Sequence, residues 1–152
     1  MKKGLKAVIL IASILFFSFC LGMSEAPVQS KPAEYQTSEA SVEEAIANLE
    51  AAYESLNTAS MMELLDRDFE GWLSFKSSIE NQFLSSKSLQ VHFVIDSYLR
   101  DKDKINVRLH WFKKTIDNAG TFTKSQGESQ FAFRNTSHGL KLLYVRGDNP
   151  FF

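Results

Sequence analysis

The sequence predicts an α+β domain in which N-terminal helices pack on a four-stranded antiparallel sheet. Three observations lead there. Between Ser41 and Ser85, apolar residues recur at helical spacing in three separate stretches. From Leu89 to Gly147, apolar residues instead alternate with polar ones, the period of a half-buried strand. The polar turns between those strands are too short for crossover helices, so neighbouring strands run antiparallel.

The chain starts with an export pattern. Met1 to Lys6 carries three Lys, and Ala7 to Phe19 is uncharged and almost wholly apolar. These are the basic and hydrophobic regions of a secretory signal. Small residues allow cleavage after Gly22 or Ser24. Cys20 stands where a lipoprotein signal places its lipidated Cys, although Phe17 and Phe19 depart from the usual bacterial lipobox. Leu5 to Met23 is also just long enough to serve as an uncleaved anchor. All three readings send the chain to the periplasm, the cell envelope or the outside, as a secreted, lipoprotein or membrane-tethered form. Residues 1–24 are thus signal or anchor, and residues 25–40, with Pro27 and Pro32 and no periodicity, are a flexible tether. Residues 41–152 are the domain.

Ser41-Val42-Glu43-Glu44 fits a capping box that opens the first helix. Val42, Ala45, Ile46, Leu49, Tyr53 and Leu56 then form its apolar face, and the helix stops near Asn57. Thr58 is placed to cap a short second helix with Met61, Leu64 and Leu65 inward. Asp66 to Gly71 reads as a loop, with Phe69 plugging the core. Trp72, Phe75, Ile79 and Phe83 define a third helix over Trp72–Ser85. In the first strand Leu89, Val91, Phe93 and Ile95 face inward. Asp101-Lys102-Asp103 turns the chain, and Ile105, Val107, Leu109 and Trp111 face inward on the second. After Asp117-Asn118-Ala119-Gly120, the third strand spans Phe122 to Arg134, with Gly127, Ser129, Phe131 and Phe133 on the inner side. A turn over Asn135–Gly139 leads to the last strand, where Leu140, Leu142 and Tyr144 are expected inside.

Composition narrows the functions. Thirteen Phe favour an aromatic core. Without Lys2, Lys3 and Lys6, 14 basic residues face 18 acidic ones, a balance that disfavours nucleic acid as partner. The single Cys lies in the export segment, so the domain carries no thiol chemistry and no internal disulfide.

Three helices followed by a long antiparallel meander resemble the nuclear transport factor 2-like superfamily, the cystatin-like cone. Two passages carry the likeness: Leu64-Leu65-Asp66-Arg67-Asp68-Phe69, and Gly127 to Arg134 followed by Gly139-Leu140-Lys141-Leu142-Leu143. Leu140 stands where that family's last hairpin usually has Trp. The short hairpin that larger members insert before the main sheet has no room between Phe69 and Trp72. The resemblance implies a curved, cone-like sheet whose interior forms a pocket. In enzyme members such as ketosteroid isomerase and scytalone dehydratase, that pocket holds Asp, Tyr or His groups, with carboxyl pKa values raised by burial.

Here the expected pocket residues are Phe69, Trp72, Phe93, Trp111, Ser129, Phe131, Phe133 and Tyr144. Only Ser129 and Tyr144 bring hydroxyls, so no catalytic residue and no cofactor is assigned. His92, Arg108, His110, Phe112 and Glu128 gather on the outer face, a mixture that suits a wet surface or a homodimer contact. Two His and a carboxylate are a zinc-capable set. Exposed polar pairs across strands are far commoner, however, and no metal is assigned. The reading that emerges is an exported, non-catalytic domain binding a small apolar ligand or an envelope protein, touching membrane only through its N-terminal segment. The alternatives are an isomerase- or dehydratase-like enzyme using the cone, and a structural dimerisation module. The terminal Phe151 and Phe152 either cover the mouth of the cone or form a docking tail.

Overall fold

The computed structural model describes residues 39–152. The expected signal or anchor, Cys20 and nearly all of the expected tether lie outside the described residues. Among the described residues, no helix is long and apolar enough to cross a membrane.

Helix α1 (Glu39–Glu54), α2 (Thr58–Glu63) and α3 (Trp72–Ser85) precede strands β1 (Ser86–Asp101), β2 (Lys104–Asp117), β3 (Phe122–Thr136) and β4 (Gly139–Gly147). The strands form one antiparallel sheet in the order β1-β2-β3-β4. The α+β class is as the pattern predicts, and α3 has the predicted bounds. Two helix starts differ. Helix α1 begins two residues ahead of Ser41, which therefore sits inside its first turn, and those two residues come from the expected tether. Asn57, not Thr58, caps α2, its side chain accepting from the Ser60 amide at 3.2 Å.

The core lies between the helices and the inner face of the sheet. Val42, Leu49, Tyr53, Met61, Ile79, Ile105, Val107, Leu109, Phe131, Phe133 and Leu142 are all buried in it. Phe69 plugs it from the loop, its ring 4.8 Å from that of Phe75.

Both edges of the sheet are covered in part. Glu54 and Glu50 of α1 accept the outward amides of Val91 (3.0 Å) and Phe93 (2.6 Å) on edge strand β1. On the opposite edge, the Leu64–Glu70 passage pairs with β4. The Asp66 amide donates to the Leu142 carbonyl at 2.7 Å, and the Leu142 amide to the Leu64 carbonyl at 2.9 Å. Free strand edges invite pairing with other chains, and these contacts occupy part of each edge.

Two β-bulges correct the predicted parity. The register of β1 against β2 slips between Ile95 and Ser97, leaving Asp96 as an extra residue. Tyr98 then stands opposite inward-facing Val107, although alternation from Leu89 had put it on the outer face. In β4 the slip falls at Leu143, between the Phe133–Leu142 and Ala132–Tyr144 pairs. It moves Tyr144 to the outer face, where its hydroxyl donates to Asn106 Oδ1 at 2.9 Å, and sets Val145 opposite Phe131. A bulge adds one residue to one strand, and every later side chain changes face.

Candidate functional site

The eight residues expected to line a pocket do not surround one space. Phe93, Phe131 and Phe133 are packed solid, and what fills the space between them and the helices is the C-terminal tail. Phe151 is fully buried. Its ring stacks on Phe131 at 5.8 Å and meets Tyr53 at 5.3 Å, Phe75 at 5.6 Å and Phe93 at 6.0 Å, mostly edge to face. The tail thus covers the cone from within, while Phe152 stays half exposed.

A polar latch holds the tail. Trp111 Nε1 donates to the Asp148 carbonyl at 3.0 Å and lies 3.1 Å from Ser129 Oγ. The Ser129 hydroxyl donates to the same carbonyl. The Asp148 amide donates to the Glu128 carbonyl at 2.9 Å, and the Tyr53 hydroxyl donates to the Phe151 carbonyl at 3.1 Å. Burial pushes the Tyr53 pKa well above that of a free phenol, so this hydroxyl is a neutral donor and no base. Two glycines make the latch possible. A Cβ on Gly127 would lie 2.6 Å from Asp148 Cβ and 2.7 Å from the Trp111 ring, and one on Gly147 (φ +85°) would lie 2.7 Å from the Glu128 carbonyl oxygen. Trp111 and Ser129 therefore serve the latch rather than an open cavity. Tyr144, on the outer face, takes no part.

Trp72 lies elsewhere, in a separate surface cleft. This cleft holds about 690 Å³ between the α2 end, the Asp66–Asp68 loop and the β3–β4 turn. At its wall Arg134 donates to Asp66 at 2.7 Å and to Asp68 at 2.8 Å, with Asp103 at 3.8 Å. These carboxylates, Asp68 first, raise the Arg134 pKa further above its ordinary value. Asp66 is buried, but Arg134 and the Asp68 amide (2.9 Å) both bond its Oδ1. Among the described residues no buried side-chain nitrogen or oxygen lacks a partner. The cleft therefore has a clamped ion pair and no free buried base. Sequence reasoning missed this clamp, because Arg134 and Asp66 are joined only by the wrapping of the loop around the β4 edge.

On the outer face the structure brings His110 and Glu128 directly opposite each other, with Arg108 opposite Gln130 and His92 opposite Phe112. The two His are drawn to different carboxylates. His110 Nδ1 lies 2.8 Å from the bulged Asp96, and His92 Nδ1 lies 3.3 Å from Glu50 on α1. The zinc-capable set weighed from sequence is not assembled, and no group of three His, Cys, Asp or Glu among the described residues is arranged to hold a metal.

This architecture is the nuclear transport factor 2-like fold. A superfamily protein of that name from Salmonella enterica matches over 72% of this chain and 88% of its own, with a TM-score of 0.60 and 9% identity. A proposed dehydratase of the same family from Streptomyces avermitilis matches over 71% and 93%, with a TM-score of 0.61 and 14% identity. A conserved protein from Planctomyces limnophilus matches over 72% and 97%, with a TM-score of 0.63 and 14% identity. No family model matches the chain, and no curated protein matches its sequence. The likeness is one of fold, and this fold supports ligand-binding and enzymatic functions alike.

Proposed function

We propose that the chain is a non-catalytic binding domain, exported or held at the membrane by its N-terminal segment. One observation carries this reading: Phe151 fills the cone, and among the described residues no buried side-chain nitrogen or oxygen there lacks a hydrogen-bond partner. An isomerase or dehydratase on this scaffold needs a titratable group inside a cavity. Among the described residues the buried polar side chains include Asp66, Ser86 and Ser129, and each has a hydrogen-bond partner. A partner protein, or a second copy, is taken on the outer sheet face around Arg108, His110 and Glu128. A small apolar ligand enters the cone only by displacing Phe151. The basic start and apolar run of residues 1–19 support delivery to the envelope.

The test is an aromatic NMR titration of residues 39–152 with indole. The resonances of Phe93, Phe131 and Phe133 stay unmoved in the wild type and shift in Phe151→Ala, where the tail no longer fills the cone. Saturable shifts in the wild type would overturn the closed cone and restore the enzymatic alternative. Light scattering of the same fragment tests the second copy, which a monomer at high concentration excludes.

A further inference from the structure

Charge is divided unevenly over this domain. From Glu39 to Ser85 there are ten acidic residues and two basic ones, whereas from Ser86 to Phe152 there are eleven basic and six acidic. The helical side is acidic and the sheet is basic. One end of the outer face concentrates this asymmetry. Lys114 and Lys124 are direct cross-strand partners, an arrangement that costs stability when nothing neutralises it. Gln90 is the next residue along that row on β1, and among the described residues neither lysine forms an ion pair, Lys124 Nζ lying 5.5 Å from the centroid of the Phe122 ring. The carboxylate nearest to Lys114 along the chain, Asp117, accepts from the Thr121 amide at 2.8 Å.

The rows on either side of the lysine pair each bring an exposed apolar side chain, beside Ser88 in one and His92 and Gln126 in the other. Phe122 (54% exposed) stands opposite Ile116 (37%) in one, and Phe112 (48%) lies in the other. Five side chains thus make one patch of two unneutralised ammonium groups set between solvent-facing rings and an aliphatic chain. Elsewhere in this protein, side chains of these apolar types are mostly packed away, so their exposure beside paired cations points to an anionic, partly apolar occupant.

We propose that this patch docks the domain on an anionic lipid surface. Lys114 and Lys124 meet lipid phosphates, while Phe112, Ile116 and Phe122 enter the boundary between headgroups and acyl chains. An isologous sheet-to-sheet contact centred on this patch would bring the lysine pairs of two copies together, whereas a lipid surface supplies the missing charge. The docking adds a second membrane contact to the one expected of the N-terminal segment. It rests on the proposed membrane side of the chain only for delivery.

Sedimentation with vesicles tests this directly. Residues 39–152 carry a self-contained core and form part of one compact unit, so the fragment can be used without the apolar N-terminal segment. It binds vesicles of phosphatidylcholine and phosphatidylglycerol in equal parts, and salt weakens that binding. It does not bind phosphatidylcholine alone. Lys114→Ala and Lys124→Ala each lower partitioning about five-fold and together about twenty-five-fold, as expected for roughly one lipid-facing charge each. Phe122→Ser weakens binding while leaving its salt dependence in place, and Lys76→Ala on α3 changes nothing. No binding, equal binding to neutral vesicles, or unchanged binding by the lysine variants overturns the proposal. Vesicle binding unchanged but a light-scattering mass lowered in those variants would make the patch a contact between copies. Failure here is distinguishable from failure of the closed cone, because the indole titration reads Phe93 and Phe131 inside it and does not involve this patch.

Discussion

Replacing Phe151 with Ala tests whether the tail is part of the core or an ornament on it. The ring is fully buried and touches Tyr53, Phe75, Phe93 and Phe131. Returning its apolar area to water costs about 2 kcal/mol. The space it vacates is about 100 Å³, and if the surrounding rings hold their places that cavity adds about 2.4 kcal/mol. Collapse of the terminal segment into the gap lowers the second contribution, so the expected loss is about 3–5 kcal/mol. A domain of this size has about 5–15 kcal/mol in all, so the change is large. Phe152→Ala is the internal reference: that ring is 52% exposed and should cost under about 1 kcal/mol. Urea unfolding of residues 39–152 measures both. A Phe151→Ala loss below about 1 kcal/mol with an unchanged m-value would refute the account. The tail would then be peripheral and the cone effectively open.

Three further outcomes follow from the same geometry. Gly127→Ala pushes Asp148 and the Trp111 ring apart, so the fluorescence of Trp111 should shift and the Trp111 indole should lose its bond to the Asp148 carbonyl, seen as faster hydrogen exchange. Glu50→Ala with Glu54→Ala frees the Val91 and Phe93 amides along edge strand β1. Concentration-dependent aggregation by light scattering should rise, even though the core is untouched. Stability also depends on pH at both ends. The Asp117 pKa is lowered, first by the Thr121 amide, so its contribution is present above the unfolded value and is lost as pH falls below about 4. The Tyr53 pKa is raised by burial, so its contribution is full below the unfolded value and is lost as pH rises past about 10. Asp117→Asn and Tyr53→Phe should each flatten one arm of a stability-against-pH curve.

The chain's periodicities show plainly where the helices and strands lie, because burial imposes them locally: Trp72, Phe75, Ile79 and Phe83 need only their own spacing to mark α3. What the pattern does not carry is a change of phase. Alternation from Leu140 assigns Tyr144 to the interior, and nothing in Leu142-Leu143-Tyr144 marks Leu143 as the extra residue. Leu143 is itself buried, so hydrophobicity alone cannot tell a bulge from a continuing strand. The same holds for Asp96, whose displacement puts Tyr98 on the helix side. The closure of the cone is hidden for a different reason. Phe151 lies 20 residues from Phe131 and 98 from Tyr53 in sequence, and only the folded sheet brings these rings together. The aromatic inner positions Phe93 and Phe131 are therefore also what allows the tail to fit. A charged side chain at Phe93 or Phe131 would need water or a partner where Phe151 now lies. In this chain, then, the aromatic lining of the cone and the closing of the cone by its own tail are two expressions of one physical requirement.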